Sequence, residues 1–168
     1  MDTPESRLAA LQAEAQQLTQ YLTTLPPEAW SHPSACTRWQ VADVVAHVAT
    51  AGLLFTESLT RGLQGDSSPP AGWVPGGARD EDAFAEELAQ RAIASRRQLG
   101  EQLLATFIQG NTALHQLLTG LTPHDWATVC YHPAGPRTVW AMVEARTTEL
   151  AMHGWDIRSQ LEPIAHLS

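Results

Sequence analysis

Lysine is absent from this sequence, and cysteine is nearly so. The 168 residues carry ten arginines and eighteen acidic side chains, and the formal net charge is −8. A chain without lysine has neither a Schiff-base lysine nor a phosphate loop of the Walker type. Cys36 and Cys130 alone supply neither a disulfide framework nor a four-cysteine zinc site. The excess of negative charge argues against binding to nucleic acid, because phosphate backbones require clustered cations.

Long hydrophobic runs are absent as well. The longest extends from Val44 to Phe55, is interrupted by His47, and is too short to cross a bilayer. The N-terminus is acidic and no apolar stretch follows it, so no signal peptide is visible. With 43% hydrophobic and 17% charged residues, the chain is expected to fold as a single domain over residues 1–168. These features predict a soluble cytoplasmic protein without membrane contact.

Hydrophobic residues recur at helical spacing in four segments, and no segment shows the alternation typical of strands. The predicted helices cover residues 3–25, 37–62, 80–120 and about 137–161. Four long amphipathic helices favour an all-α fold, a four-helix bundle. The segment 64–79, rich in glycine and proline, is predicted to be a long loop between the second and third helices.

Capping patterns predict where these helices begin. Thr3 is the expected N-cap of the first helix, and Thr37 with Gln40 has the spacing of a capping box for the second. The third helix is predicted to be continuous, with Gly100 and Gly110 as the positions where a bend is expected.

Polar residues interrupt the apolar stripe of the fourth helix. Glu149 and His153 are spaced i, i+4 and fall within the stripe, as does Arg146, while Asp156 lies at its edge. A buried carboxylate is costly unless a partner compensates its charge. Either a metal ion or an ion pair with Arg146 would do so, and the same spacing also occurs in ordinary pairs on helix surfaces.

His47, on the second helix, is the third candidate ligand. It lies at the flank of the valine face, where a core histidine bonded to backbone or water is the alternative interpretation. Helix bundles build metal sites from facing helices. Two imidazoles and a carboxylate suit Zn²⁺ and leave one position open, and Ni²⁺ or Fe²⁺ would accept the same ligands.

Two segments carry a resemblance to a known family. Residues 30–48, WSHPSACTRWQVADVVAHV, resemble the first signature of the DinB-like superfamily, and most closely that of the N-terminal domain of mycothiol-dependent maleylpyruvate isomerases. Residues 149–156, ELAMHGWD, are similar to the second signature of that domain. One departure is Arg38, which stands where a glycine often precedes the tryptophan.

The resemblance implies a divalent metal, usually zinc, held by His47, Glu149 and His153. It also implies a low-molecular-weight thiol, such as mycothiol or bacillithiol, that attacks an electrophilic substrate. The isomerases have a C-terminal domain that completes their site. Because the chain stops at Ser168, transfer of a thiol is expected here rather than isomerisation.

The remaining assignments concern residues around this site. Asp156 is expected to orient a ligand histidine. Arg146 is expected to neutralise Glu149 or to pair with a substrate carboxylate, and the first role is favoured. Trp39 and Trp73 are expected to wall a pocket for the thiol, with Trp73 as a lid residue, although core packing is the alternative for Trp39.

Cys36 and the charges of the third helix have simpler interpretations. Cys36 is expected near the positive end of a helix, where a thiolate would be favoured, or else as a small buried side chain. The charges of the third helix are predicted to form a solvated face; they include Glu86, Glu87, Arg91, Arg96 and Arg97. The five other histidines are expected in loops or at helix edges.

Alternatives to a thiol transferase remain at this stage. The chain is also compatible with a related isomerase or a metal-dependent hydrolase, or with a non-catalytic or stress-related bundle that binds metal. Apolar pairs such as Leu53-Leu54 exceed what one helix face can bury, which is compatible with a homodimer.

Overall fold

Helix α1 begins where its capping pattern predicts. A computed structural model describes residues 3–75 and 80–162 and places α1 at Pro4–Thr24. The Thr3 hydroxyl accepts a hydrogen bond from the Ser6 N–H, and the Ser6 hydroxyl accepts one from the Thr3 N–H. This reciprocal cap satisfies two donors that the first turn of a helix leaves unpaired.

Four helices form the predicted bundle, and a fifth lies outside it. The bundle consists of α1, α2 (Val41–Leu63), α4 (Leu103–Thr119) and α5 (Val139–Arg158). Helix α3 (Glu81–Leu99) packs mainly against α2 on the outside of the bundle. The all-α four-helix bundle is therefore confirmed. The predicted loop lies between α2 and α3, and its residues 76–79 lie outside the described residues.

The predicted third helix is two helices. Gly100 has φ +50° and ψ −124°, a conformation that ends α3, and a 3₁₀ turn at Gly100–Gln102 leads into α4. The prediction of a continuous helix is wrong because the apolar spacing continues across the break, while a glycine can adopt a positive φ without steric cost. The consequence is that α3 is free to pack beside α2 instead of extending α4.

The start of α2 also differs from the prediction. Pro33 and Gln40 pair as an isolated antiparallel bridge, so the segment containing Thr37 is a tight loop. The helix begins at Val41, and the Gln40 N–H donates to the Asp43 carboxylate over 2.9 Å. Gln40, and not Thr37, is the N-cap.

Helix α2 is the centre of the core. Its valines Val41, Val44, Val45 and Val48 are fully buried. By length and composition alone, α2 could span a membrane. However, 67% of its apolar 18-residue segment is buried within the protein, as in the core helix of a bundle.

A small hairpin precedes α5, where no strand was expected. Strand β1 (Val129–Cys130) pairs antiparallel with β2 (Arg137–Thr138). Strands of two residues have no periodicity that a sequence pattern could reveal. The turn between them lies beside α2 and contributes to the site described below.

Replacing Gly62 by alanine is expected to destabilise the protein by about 1–3 kcal/mol, the usual cost of overpacking a tight contact. A Cβ atom at this position of α2 would lie 2.4 Å from the Cys130 Sγ of β1. The matched control is Gly110→Ala on α4, where the nearest atom outside the helix is 3.8 Å away. The control is expected to stabilise the protein by about 0.5–1 kcal/mol. Urea unfolding measures both, and a Gly62→Ala protein as stable as the wild type would contradict this packing.

Candidate functional site

Helices α2 and α5 bring the three predicted ligands together. His47 Nε2 lies 3.3 Å from Glu149 Oε1, and the His47 and His153 ring centroids are 4.9 Å apart. One donor atom from each residue lies within 4.8 Å of the other two. The side chains are 15%, 20% and 17% exposed, so the cluster is sheltered from solvent but accessible.

This donor set fits a divalent cation. Ligand bonds of 2.0–2.2 Å in a tetrahedral zinc site place neighbouring donors about 3.4 Å apart, close to the His47–Glu149 separation of 3.3 Å. His153 uses Nδ1 for a second contact, described below, which leaves Nε2 for a cation. The three residues therefore have the chemistry and the spacing to hold Zn²⁺, Ni²⁺ or Fe²⁺ with a coordination position to spare.

Arg146 lies behind the carboxylate and compensates its charge. The guanidinium is 1% exposed and donates to Glu149 Oε2 over 2.8 Å, to the Val48 carbonyl over 2.8 Å, and to Asn111 Oδ1 over 3.2 Å. Burial alone would raise the pKa of Glu149, but the Arg146 charge and the His47 hydrogen bond lower it to about 2. Glu149 is therefore ionised at any physiological pH.

Asp156 joins His153 to Cys36. Its Oδ2 accepts a hydrogen bond from His153 Nδ1 over 2.9 Å and another from the Cys36 thiol over 3.2 Å. Burial, followed by the hydrogen bond to Asp156, raises the pKa of Cys36 to about 12. The expected preference for a thiolate at Cys36 is not observed, because α2 begins five residues later and the neighbouring charge is negative.

Trp39 packs against both histidines of the cluster. Its ring centroid is 5.1 Å from that of His47 and 6.1 Å from that of His153. The indole Nε1 is buried without a hydrogen-bond partner among the described residues. Trp39 thus restricts the space around the cluster from the side of the segment that precedes α2.

A cavity of about 210 Å³ opens beside the cluster. His47 and Glu149 lie in its wall, which is otherwise mostly apolar and includes Leu54, Phe55 and Leu88. An apolar chamber with a few convergent polar groups is the usual form of a small-molecule site.

Trp73 lies in the wall of this cavity and is held from two sides. The Arg91 guanidinium lies 4.5 Å from the Trp73 ring centroid and donates to the Gly72 carbonyl over 2.9 Å. The Tyr131 hydroxyl donates to the Val74 carbonyl over 2.8 Å. Contacts from α3 and from the end of β1 therefore fix this part of the loop over the cavity.

Arg96 of α3 is not on a solvated face, contrary to the prediction. Arg91 is 42% exposed and pairs with Glu87, as predicted, although it also lines the cavity. Arg96 Nε lies 2.9 Å from the Asp43 carboxylate, which is 4% exposed, and Arg96 also donates to the Gln40 amide. The prediction is wrong because Asp43 and Gln40 lie on α2 and its cap, and the sequence of α3 alone does not show that α3 packs there.

His132, expected only in a loop or at a helix edge, is a further polar residue of the cavity. It lies in the turn between β1 and β2 and lines the cavity together with His47 and Glu149. The sequence His-Pro-Ala-Gly at 132–135 is typical of a β-turn, but such a signal does not show what the turn faces.

Comparisons with known proteins agree on the fold. Residues 11–158 match the family model described as the mycothiol maleylpyruvate isomerase N-terminal domain. The crystal structure of the mycothiol-dependent maleylpyruvate isomerase is similar, with 16% identity, a TM-score of 0.73, and 93% of this chain covered. A histidine-to-alanine mutant of that isomerase matches with 15% identity and a TM-score of 0.72. The chain spans 61% of the length of both isomerase chains.

A third solved structure covers nearly the whole of both chains. It is the colibactin self-resistance protein ClbS in complex with dsDNA, with 15% identity, a TM-score of 0.69, and coverage of 96% of this chain and 97% of that one. The comparison with curated proteins gives no match. At these identities the solved structures show the fold, and the family model shows the relationship.

Proposed function

Because the chain belongs to the family of mycothiol maleylpyruvate isomerase N-terminal domains, within the DinB-like superfamily, we propose that it is a metal-dependent enzyme that transfers a low-molecular-weight thiol to an electrophilic substrate. The observation that carries this proposal is the convergence of His47, Glu149 and His153, two of which, His47 and Glu149, line an apolar cavity. The cavity favours an enzyme over a non-catalytic metal-binding protein, since it leaves room for a substrate beside the ligands.

A divalent cation, most simply Zn²⁺, would favour the thiolate form of a thiol bound beside it. His47, Glu149 and His153 are the residues that would hold this cation. Asp156 accepts from His153 Nδ1 and so fixes the orientation of that ring. Arg146 keeps Glu149 ionised and in place.

Arg146 acts in this proposal as a positioning residue. Its guanidinium is buried and already donates to three acceptors, which are Glu149, the Val48 carbonyl and Asn111. These contacts favour its neutralising role over direct pairing with a substrate carboxylate.

The two substrates occupy different parts of the proposed site. The electrophile occupies the apolar cavity, and Trp73 covers it as a lid residue. The thiol approaches the cluster beside Trp39, whose ring packs against both histidines. Mycothiol is the thiol named by the family, and bacillithiol is the alternative.

Small molecules are the proposed partners. The dsDNA belongs to the ClbS structure, and this chain has a net charge of −8, which opposes approach to a phosphate backbone. Isomerisation of maleylpyruvate is the activity of a protein of which this chain covers 61%, and transfer of the thiol is the activity proposed here.

The test is a panel of thiols assayed with chlorodinitrobenzene and the zinc-loaded protein. Mycothiol, bacillithiol and glutathione are compared by the release of chloride. We expect the protein to accelerate the reaction of at least one thiol, and His47→Ala to lose about 10²-fold or more of that acceleration.

The control is His124→Ala, because His124 is exposed and belongs neither to the cluster nor to the cavity wall. It is expected to react at the wild-type rate. A zinc-loaded protein that accelerates none of the three thiols would refute the proposed transfer.

A further inference from the structure

The imidazole ring of His132 is held by a hydrogen bond within its own turn and by packing against Phe55. The Gly135 N–H donates to the His132 carbonyl over 2.9 Å, which closes a β-turn with Pro133 at its second position. The Ala134 N–H donates to His132 Nδ1 over 3.1 Å. The ring and that of Phe55 form a T-shaped pair, with centroids 6.0 Å apart and an interplanar angle of 78°.

These contacts determine which ring nitrogen of His132 carries the proton. Burial is the main cause that lowers the pKa of His132 to about 4, and the Arg137 charge adds to it and outweighs Glu149. The ring is therefore neutral at physiological pH. Since Nδ1 accepts from a backbone N–H, the single ring proton resides on Nε2. No hydrogen bond from Nε2 is found among the described residues.

We propose that His132 is a hydrogen-bond donor that binds an oxygen atom of the substrate in the cavity. This inference rests on the function proposed above and specifies its substrate class. The cavity would prefer electrophiles that carry an acceptor oxygen conjugated with the carbon under attack. His132 thereby determines specificity, while the thiol is activated at the separate cluster of His47, Glu149 and His153.

The step for an unsaturated ketone is an addition. The sulfur forms a bond to the β-carbon, the carbon–carbon π bond shifts, and the carbonyl oxygen gains negative charge as an enolate. A neutral Nε2–H donor stabilises this charge. The α-carbon then takes up one proton, equal to the proton lost by the thiol, so that no oxidant or reductant is needed.

The kinetic test compares two electrophiles with similar apolar bodies. Benzylideneacetone has the carbonyl oxygen, whereas benzyl bromide reacts by loss of bromide and has no acceptor oxygen. Two variants separate the roles of the ring nitrogens. His132→Asn retains an acceptor for the Ala134 N–H but loses the outer donor, and His132→Gln places an amide N–H near the position of Nε2.

His132→Asn is expected to lower kcat/KM for benzylideneacetone by about 10²-fold, the effect of removing one oxyanion donor. Its rate with benzyl bromide is expected to fall much less than the rate with the ketone, because that reaction develops no oxyanion. His132→Gln is expected to recover most of the loss. Equal losses with both electrophiles would show a merely structural role and overturn the proposal.

A binding measurement decides the role of His132 independently of turnover. The probes are benzylideneacetone and β-ethylstyrene, which share a skeleton and differ only in the carbonyl group. Quenching of tryptophan fluorescence reports their affinities for the metal-free protein, since Trp73 lines the cavity. We expect His132→Asn to lower the affinity for the ketone by about fivefold, the effect of losing one hydrogen bond. The affinity for β-ethylstyrene is expected to be unchanged.

The two proposals fail in different ways. If no thiol reacts faster with the protein but the ketone still loses affinity in His132→Asn, the transferase proposal fails and the role of His132 as a ligand donor stands. If both probes bind the variant and the wild type equally, the role of His132 is wrong whatever the activity.

Discussion

Addition of Zn²⁺ to the metal-free protein is expected to raise its melting temperature by about 10 °C at saturating metal, because a ligand that binds only the folded state stabilises it. His47→Ala, Glu149→Gln and His153→Ala are each expected to abolish this rise. The shift is measured by thermal unfolding with and without Zn²⁺, and the metal content of the dialysed protein is measured in parallel.

Matched variants separate loss of ligands from loss of fold. His124→Ala and Glu57→Gln change exposed side chains of the same types outside the cluster, and both are expected to show the full response to zinc. Comparing each variant with and without metal removes any difference in intrinsic stability. An unchanged zinc response in the three ligand variants would show that the cation binds elsewhere.

Replacing Arg146 by methionine is expected to destabilise the protein by about 3–5 kcal/mol, the cost of leaving one member of a buried ion pair without its partner. Arg146 is 1% exposed, and the Glu149 carboxylate has His47 as its only other ionic contact among the described residues. Chemical denaturation at neutral pH measures this loss. Arg158→Met on the same helix is the control, since Arg158 is 34% exposed and pairs with Glu162 at the surface. The control is expected to lose about 1 kcal/mol or less.

The pH dependence of unfolding gives a second measure of the same ion pair. The pKa of Glu149 is about 2 in the folded protein and 4.5 without these contacts. A lowered folded-state pKa contributes stability above pH 4.5, and this stability is lost as the pH falls toward 2. The contribution is on the order of 3 kcal/mol. In Arg146→Met this acid-dependent loss is expected to shrink, and an unaltered profile would contradict the pairing.

The bundle could be predicted because its helices carry strong local signals. Thr3 caps α1 as expected, and the apolar periodicity of the segments that became α1, α2 and α5 is long enough to define a face. The same reasoning does not reveal the helix break at Gly100. Apolar residues continue in register on both sides of it, and only the backbone shows that the chain turns there.

The candidate ligands could be selected because burying polar side chains in an apolar stripe costs free energy unless a partner or a metal ion compensates them. That argument identified Glu149 and His153 on one helix and directed attention to His47 on another. It could not find His132 or the role of Arg96, since a turn has no apolar stripe to interrupt and charged residues such as those of α3 are typical of a solvated face. Their positions depend on long-range packing, which no local pattern records.

The break at Gly100 has a consequence for how such proteins diverge. The three cluster residues belong to the helices of the bundle. Most of the opposite side of the cavity belongs to α3, the Trp73 segment and the β1–β2 turn. Changes of length or composition in these segments can alter the shape of the cavity without disturbing the helices that hold the cluster. One inherited cluster of side chains can in this way be combined with cavities of different shape.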